Sequence, residues 1–323
     1  MTKTPSDHFD GYRFSNPTLS QSSAPSLRSV FRMARAPRSR WPAWVENKGV
    51  HRLHERRAAD EVVITFVNHA TFLIQIGDIT ILTDPVWSER ASPFRRLGPK
   101  RVRRPGVALA ELPRIDVILL SHNHYDHLDI ATLARLRQRC DPTVLAAAGD
   151  ARLVGPLGFA TLRELDWWDA IEISDRLKIT FVPAQHFSAR GLFDRQKSLW
   201  GGYIIESRRH RVYFGGDSGY STHFADIRAR LGAPDLALLG IGAYEPRWFM
   251  QPMHMNPAEA VRAHRDLGSR QSIGMHFGTF QLSAEAIDQP QADLRRALIE
   301  SGLAESEFIT LHEGETRIYP ATS

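Results

Sequence analysis

From Val62 onward the chain alternates short, β-branched apolar runs with turn residues. Val62 to Val67, Thr71 to Ile76 and Ile79 to Thr83 read as strands, and the Gly77-Asp78 turn between the last two predicts a β-meander. Asp116 to Ser121 reads as a buried strand. At Ile130 to Arg139 the period changes, with Ile130, Leu133 and Leu136 at helical spacing. Strand signals return at Thr143 to Ala147, Leu177 to Val182, Gly202 to Glu206, Val212 to Gly215, Asp235 to Ile241 and Ser272 to Met275, with helices expected between several of them. Asn256-Pro257-Ala258-Glu259 supplies an N-cap, a proline at the first helical position and a glutamate able to close a capping box, so a helix is predicted to about Leu267. Strands and helices mixed over most of the chain, without an internal repeat, indicate a layered α/β architecture.

Residues 1–60 follow no such period. They are rich in Ser, Pro and Arg and predict an irregular basic arm, with a short helix at most, ahead of a folded domain at 61–323. The arm holds 11 Lys and Arg against 5 Asp and Glu, a surplus of six in a chain of formal net charge +5. Arg28, Arg32, Arg35, Arg38 and Arg40, with Trp41 and Trp44, would suit an anionic membrane face; a solvated arm fits the composition equally well. A second cluster, Arg95, Arg96, Lys100, Arg101, Arg103 and Arg104, contains no acid and reads either as an anion contact or as a solvated basic surface. No apolar run approaches the roughly 20 residues of a spanning helix. Met1 to Phe14 lacks the charged-then-apolar pattern of a secretory signal, so the expectation is a cytoplasmic protein, or one peripheral to the inner face of the membrane. The only cysteine, Cys140, has no partner for a disulfide or a thiolate metal knot, so any metal must be held by carboxylates and the 14 histidines.

Such a set exists. Ser121-His122-Asn123-His124-Tyr125-Asp126-His127 directly follows the apolar strand Val117 to Leu120. In extended chain, alternate residues share a side, so His122, His124 and Asp126 project together and His127 follows on the turn. A single histidine there would be an ordinary loop or cap residue. Three histidines and an aspartate at the end of a buried strand would be costly without pairing or a metal. Imidazole and carboxylate suit Zn²⁺, and iron or manganese would also be accepted.

The four residues match the H-x-H-x-D-H signature of the metallo-β-lactamase superfamily, which this chain resembles. The resemblance implies a four-layer αβ/βα sandwich, two mixed sheets flanked by helices, forming a catalytic domain over 61–323. It also implies three later ligands, met in order by His186 after Thr180 to Gln185, Asp217 after Phe214-Gly215-Gly216, and His276 after Ile273-Gly274-Met275. By resemblance His122, His124 and His186 hold one metal, Asp126, His127 and His276 the other, and Asp217 bridges them. The glycines before Asp217 are read as letting the backbone approach the cations. Asp84, in Thr83-Asp84-Pro85, resembles the buried acid that orients a ligand in this superfamily; a turn carboxylate bonding its own backbone is the plain alternative. His69 reads as a turn residue or as a support for a ligand.

Longer segments resemble the N-acylphosphatidylethanolamine-hydrolysing phospholipase D family: Thr83 to Pro93, Gly98 to Arg101, Ile241 to Met250, and His276 to Phe280, the last with Phe277 in place of a tryptophan common in the family. The matches span roughly residues 62–290; the arm departs most. This resemblance implies hydrolysis of a phospholipid phosphodiester by a two-metal-activated water, with two Zn²⁺ as cofactors and Asp126, Asp217 and His254 as the catalytic residues. Tyr244, Trp248, Phe249 and Met250, followed by Met253 and Met255, are expected to line an apolar mouth, against a reading of plain core packing. His254, just before the Asn256 cap, is assigned to substrate binding. A lactone or a nucleic-acid or cyclic-nucleotide phosphodiester is the rival substrate, and a metal-free binding protein the rival from another class. No nucleic-acid partner is expected, and a homodimer remains open.

Overall fold

A computed structural model of the chain describes residues 5–19, 27–48, 61–191 and 193–320. The boundary drawn at residue 60 falls beside 49–60, outside the described residues.

The first sheet begins as the expected meander. β1 (Val62–Asn68), β2 (Thr71–Ile76) and β3 (Ile79–Thr83) pair antiparallel, with Ile76 facing Val62 on one side and Ile79 on the other. β4 (Val117–Leu120), β5 (Thr143–Ala147) and β6 (Leu162–Leu165) then add in parallel, and β14 (Thr316–Tyr319) pairs antiparallel with β1 at the opposite edge. The second sheet repeats this plan. β7 (Ala170–Ser174), β8 (Leu177–Val182), β9 (Gly202–Ser207) and β10 (Arg211–Phe214) are antiparallel, and β11 (Leu236–Gly240), β12 (Gln271–Met275) and β13 (Phe308–Thr310) continue in parallel.

The period-2 pattern explains the layers. Ile64, Phe66, Phe72, Ile74, Val117 and Leu119 share one buried cluster with Phe181, Tyr203 and Phe214 of the second sheet. The Tyr203 hydroxyl donates across the sandwich to the carbonyls of Leu120 at 2.9 Å and Leu145 at 3.1 Å. The alternate residues Leu73, Leu82, Ile118, Leu120 and Val144 face outward and are covered by Leu133 and Leu136 of α2 (Ile130–Arg137). On the far side α4 (His223–Leu231), α6 (Pro257–Leu267) and α7 (Gln289–Ser301) contribute Phe224, Val261, Leu267, Leu294 and Leu298. Each fully buried Leu or Phe stabilises the fold by roughly 1.5–3 kcal/mol relative to exposure. The expected four-layer sandwich of two mixed sheets flanked by helices is therefore the observed one.

The pairing directions set the position of the site. Within the first sheet β1, β3 and β4 run the same way, and within the second β8, β10, β11 and β12 do. Their C-terminal ends carry His69, Asp84, His122, His186, Asp217 and His276, which meet at one edge of the sandwich.

The described part of the arm packs on this domain. Phe14 joins the main core, and Met33 of the short α1 (Leu27–Ala34) packs with Met250 and Ala243. Trp41, expected to face a membrane, donates its indole N–H to the carbonyl of Glu285 at 2.9 Å, whereas Phe31 is 65% and Trp44 41% exposed. Half of the acid-free basic cluster is spent on pairing within the fold. Arg101 is buried and donates to the carbonyls of Ser88 and Val86, Arg103 pairs with Glu313 at 2.6 Å, and Lys100 pairs with Glu89. Arg95, Arg96 and Arg104 remain exposed.

Candidate metal centre

Two sets of donors lie side by side. In the first, His124 Nδ1 stands 2.9 Å from His122 Nε2 and 3.2 Å from His186 Nε2, and Asp217 Oδ2 lies 3.8 and 3.7 Å from those two Nε2 atoms. The rings are turned by fixed partners. His186 Nδ1–H donates to the carbonyl of Met253 at 2.9 Å and His122 Nδ1–H to Ser121 Oγ at 2.9 Å, so both Nε2 atoms present lone pairs to His124. Lone pairs converging this closely repel unless a proton on His124 Nδ1 or a cation lies between them, and one proton cannot serve both Nε2 atoms fully.

In the second set, Asp217 Oδ2 is 3.1 Å from both His127 Nε2 and His276 Nε2, and Asp126 Oδ2 lies 3.5 and 3.4 Å from the same nitrogens. Asp217 Oδ2 thus belongs to both sets. The Nε2 atoms of His127 and His276 and the Oδ1 of Asp217 are buried without a hydrogen-bond partner among the described residues. The geometry fits a pair of divalent cations: His122, His124, His186 and Asp217 form one group of donors within 4.8 Å of one another, and Asp126, His127 and His276, with His69, form another.

Asp84 is fully buried and serves both sets. Its carboxylate accepts His127 Nδ1–H at 2.7 Å and, from Ser121, the backbone N–H at 2.8 Å and the hydroxyl at 2.6 Å. It therefore orients His127 directly and His122 through Ser121. Of the two readings of Asp84, the ligand-orienting one matches these contacts. His69 is a support in the same sense: its Nε2–H donates to Asp126 Oδ2 at 3.0 Å, and its carbonyl accepts the N–H of His276 at 2.8 Å.

Electrostatics point the same way. Burial lowers the pKa of His127, but Asp217 and Asp126 outweigh it and raise it well above the usual histidine range. His276 is likewise pushed up to about 9 against its burial by Asp217 and the bond to Asp126. Burial and the neighbouring rings push His122 well below. The buried carboxylates thus demand positive charge on this side of the site, which protons supply in the absence of metal.

Several contacts were not legible in the sequence. Arg190 NH1 donates to the carbonyls of Asn123 at 2.8 Å and Leu128 at 2.7 Å, bracketing the ligand loop, with its guanidinium 3.8 Å over the Tyr125 ring. Asn16, from the arm, donates to the carbonyl of His186 at 2.7 Å and accepts its N–H at 3.3 Å. Neither carries a local pattern, because each partner is remote in sequence. Gly216 also acts differently from expectation. At φ +56° an added Cβ would sit 2.7 Å from Ser121 Cβ, so glycine permits close contact with the end of β4 rather than with a cation.

Other expectations need correction. Tyr244 is buried and donates its hydroxyl to Asp293 Oδ2 at 2.5 Å, locking onto α7 rather than lining a mouth. Met250 is covered by Met33 of the arm, with Phe249 partly buried against the same cluster. Met253 and Met255 are buried as well, Met253 holding His186 through its carbonyl. Trp248 is the exception: 43% exposed, with the Arg32 guanidinium 4.4 Å from its ring, it lines a cavity of about 800 Å³ together with Phe31 and Pro246. The core reading holds for most of this segment because the arm closes over it. His254 lies beside the donors, with Nδ1 3.9 Å from Asp217 Oδ2 and 14% of its side chain exposed.

A family model described as β-lactamase superfamily domain matches residues 80–277, bracketing Asp84 and all seven expected ligands. The chain belongs to the β-lactamase superfamily. A protein of Mycobacterium tuberculosis named only as uncharacterised is 40% identical over 261 residues, covering 79% of this chain and 68% of that one. The N-acyl-phosphatidylethanolamine-hydrolyzing phospholipase D 1 of Caenorhabditis elegans is 37% identical over 263 residues, covering 78% of this chain and 74% of the relative. Among solved structures, an isothiocyanate hydrolase from Delia radicum gut bacteria superposes with a TM-score of 0.65 at 22% identity, covering 80% of this chain and 100% of that one, a likeness of fold alone. Family and donor clusters together make the chain a metal-dependent hydrolase of the metallo-β-lactamase superfamily. Among the described residues no helix is long and apolar enough to cross a membrane.

Proposed function

We propose that the chain is a phosphodiesterase of phospholipase D type, acting on N-acylphosphatidylethanolamine-type lipids with two Zn²⁺ ions as cofactors. The carrying observation is the 37% identity to the Caenorhabditis elegans enzyme across 78% of this chain, with every donor of both sets in place. Two bound divalent cations would lower the pKa of water to near neutrality and stabilise charge on the phosphoryl oxygens. The chain's own residues do the rest. Asp217 and Asp126 keep the site anionic enough to hold cations, and Asp84 keeps the Nε2 lone pairs of His127 and His122 turned inward. A water oxygen bonds to phosphorus and the bond from phosphorus to the ethanolamine oxygen breaks; that oxygen takes a proton and leaves as the N-acylethanolamine, while phosphatidic acid retains the new oxygen. His254, a largely buried ring beside Asp217 with 14% of its side chain exposed, is placed to hydrogen-bond the phosphoryl group or to hand that proton over.

Arg28, Phe31 and Arg32, exposed on α1, and Arg35 just after it are the surface we assign to the lipid interface. The test is metal analysis of purified protein with mass spectrometry of lipid products. About two metals per chain and release of phosphatidic acid from N-acylphosphatidylethanolamine are expected. Turnover of a lactone or a cyclic nucleotide in its place would reject the phospholipase assignment and leave the fold and the metal centre standing.

A further inference from the structure

Beside the metal centre lies an open cavity of about 510 Å³, bounded by the arm, by the loop after His186 and by Met253. Two guanidinium groups, Arg13 and Arg195, and a single carboxylate, Asp10, line it. Arg195 is half-buried, stacked 4.1 Å over the ring of Phe187, and makes no ion pair among the described residues. The cavity adjoins the metal centre: His186 is among its lining residues, and Phe187 lies 4.5 Å from the ring of His124 and 5.1 Å from that of His186.

Arg13 comes from the arm and is held against the same loop, because the N–H of Phe14 donates to the carbonyl of Gln196 at 2.8 Å. Two residues on, Asn16 grips His186 from both sides of its peptide. The one acid of the lining, Asp10, has its Oδ1 taken up by the N–H groups of Tyr12 and Arg13, at 2.7 Å each, and its charge acts on Arg13 but not measurably on Arg195. Burial and the nearby Arg13 both lower the pKa of Arg195, so the two cations repel across the cavity. Gln196, beside Arg195, is held at φ +60°, in the left-handed region that a residue with a side chain seldom adopts. Like charges, partial desolvation and a strained neighbour are all unfavourable to folding. An anion between the guanidinium groups would relieve the first two.

We propose that Arg195 and Arg13 form a guanidinium clamp that takes the non-bridging oxygen of the substrate's phosphodiester that faces away from the metal pair, with Phe187 against the adjoining methylenes. This rests on the phosphodiesterase reading, and it makes the site selective for an anionic ester over a neutral ester or lactone of similar size.

The experiment uses the metal-loaded full chain and the variants Arg195→Gln, Arg195→Lys and Arg13→Gln. Arg195→Gln should lower kcat/KM on N-acylphosphatidylethanolamine by about 10- to 100-fold, the worth of one charge-assisted contact. The loss should exceed by at least about tenfold the loss on 4-nitrophenyl butyrate. Arg195→Lys should recover part of it, because charge returns without the planar fork, and Arg13→Gln should show a smaller loss in the same direction. Metal content stays at the wild-type level in each. Calorimetry of orthophosphate binding supplies an arm independent of turnover, with roughly tenfold weaker binding expected for Arg195→Gln. Equal losses on both esters, or orthophosphate binding unchanged by Arg195→Gln, would overturn the clamp. Should the wild type hydrolyse no phosphodiester, the function reading fails, and the orthophosphate result alone decides the clamp.

Discussion

Asp84→Asn removes one charge and almost no volume, and it leaves every expected metal-binding atom in place. In the wild type one carboxylate accepts three hydrogens, from His127 Nδ1, Ser121 Oγ and the Ser121 N–H. A side-chain amide has one oxygen, so its NH₂ must face either His127 Nδ1–H or the Ser121 side. Facing His127, it sets donor against donor. The ring escapes by moving its proton to Nε2, the atom that points at Asp217 Oδ2 from 3.1 Å, and a protonated Nε2 cannot ligate a metal. Facing Ser121, it turns that hydroxyl and disturbs His122 instead. Loss of such a support weakens metal binding by about 10- to 100-fold, or about 1.4 to 2.7 kcal/mol per ion. Because the amide fails only one of the two sides at a time, chelator competition followed by elemental analysis should show the ion of the set containing His127, or that of the set containing His122, weakened and turnover lowered with it. Ser121→Ala should weaken only the set containing His122, since the His127 bond survives. An Asp84→Asn protein that keeps both ions at wild-type affinity and turns over at the wild-type rate would refute the orienting role.

Three further outcomes follow from the same geometry. His254→Ala should lower kcat by roughly 100-fold with metal content kept, as expected for a group that moves or shares a proton; loss of one metal by elemental analysis would instead make it a ligand. Tyr244→Phe should cost about 1 kcal/mol of stability, seen as a Tm lower by a few degrees, with kcat within about twofold, because the hydroxyl serves Asp293 and not substrate. Asp150 is buried beneath the ligand loop, accepts from Asn123 at 3.0 Å, and is pushed by burial from 3.8 up to about 7. Its folded pKa is the higher, so its contribution to stability is fully present at low pH and is lost as pH rises through about 7. Chemical denaturation should show that slope, and Asp150→Asn should flatten it.

What the sequence disclosed and what it hid divide on physical lines. Thr71–Ile76, Ile79–Thr83, Thr143–Ala147 and Leu177–Val182 run as expected because each is a central strand with a dense apolar pattern. The box at Asn256 closes as predicted, Asn256 Oδ1 accepting the Glu259 N–H at 2.8 Å and Glu259 returning the bond at 3.0 Å. β6, Leu-Arg-Glu-Leu, and β14, Thr-Arg-Ile-Tyr, went unread because they are edge strands with one wet face, so charge replaces the apolar alternation. α7 was hidden likewise by a polar sequence, burying only Pro290, Leu294, Ala297 and Leu298. The donors were legible because they leave strand ends in short motifs. The mouth was misread because Tyr244, Phe249 and Met250 are as apolar as a ligand wall would be, and only tertiary structure shows α7 and the arm covering them.

That legibility of the donors has a cost written into the backbone. His69, Asp84 and His276 follow the ends of β1, β3 and β12 and take φ values of 48°, 31° and 63°, in the left-handed region. Such positions cost of order 1–3 kcal/mol each and persist only where the surroundings over-determine them. Here they do. The Asp84 N–H is tied to the carbonyl of Leu119 at 2.9 Å and its own carbonyl to Thr71 Oγ1 at 2.7 Å, while His69 and His276 are tied to each other. A strand that stayed extended would carry its next side chain along the sheet; a left-handed residue turns the chain and delivers the side chain into the edge between the sheets. The core therefore fixes the donors before any cation arrives. The same rigidity that makes the metal sites selective in geometry leaves substrate choice to the looser walls, the arm and the loop after His186, where Arg13 and Arg195 stand.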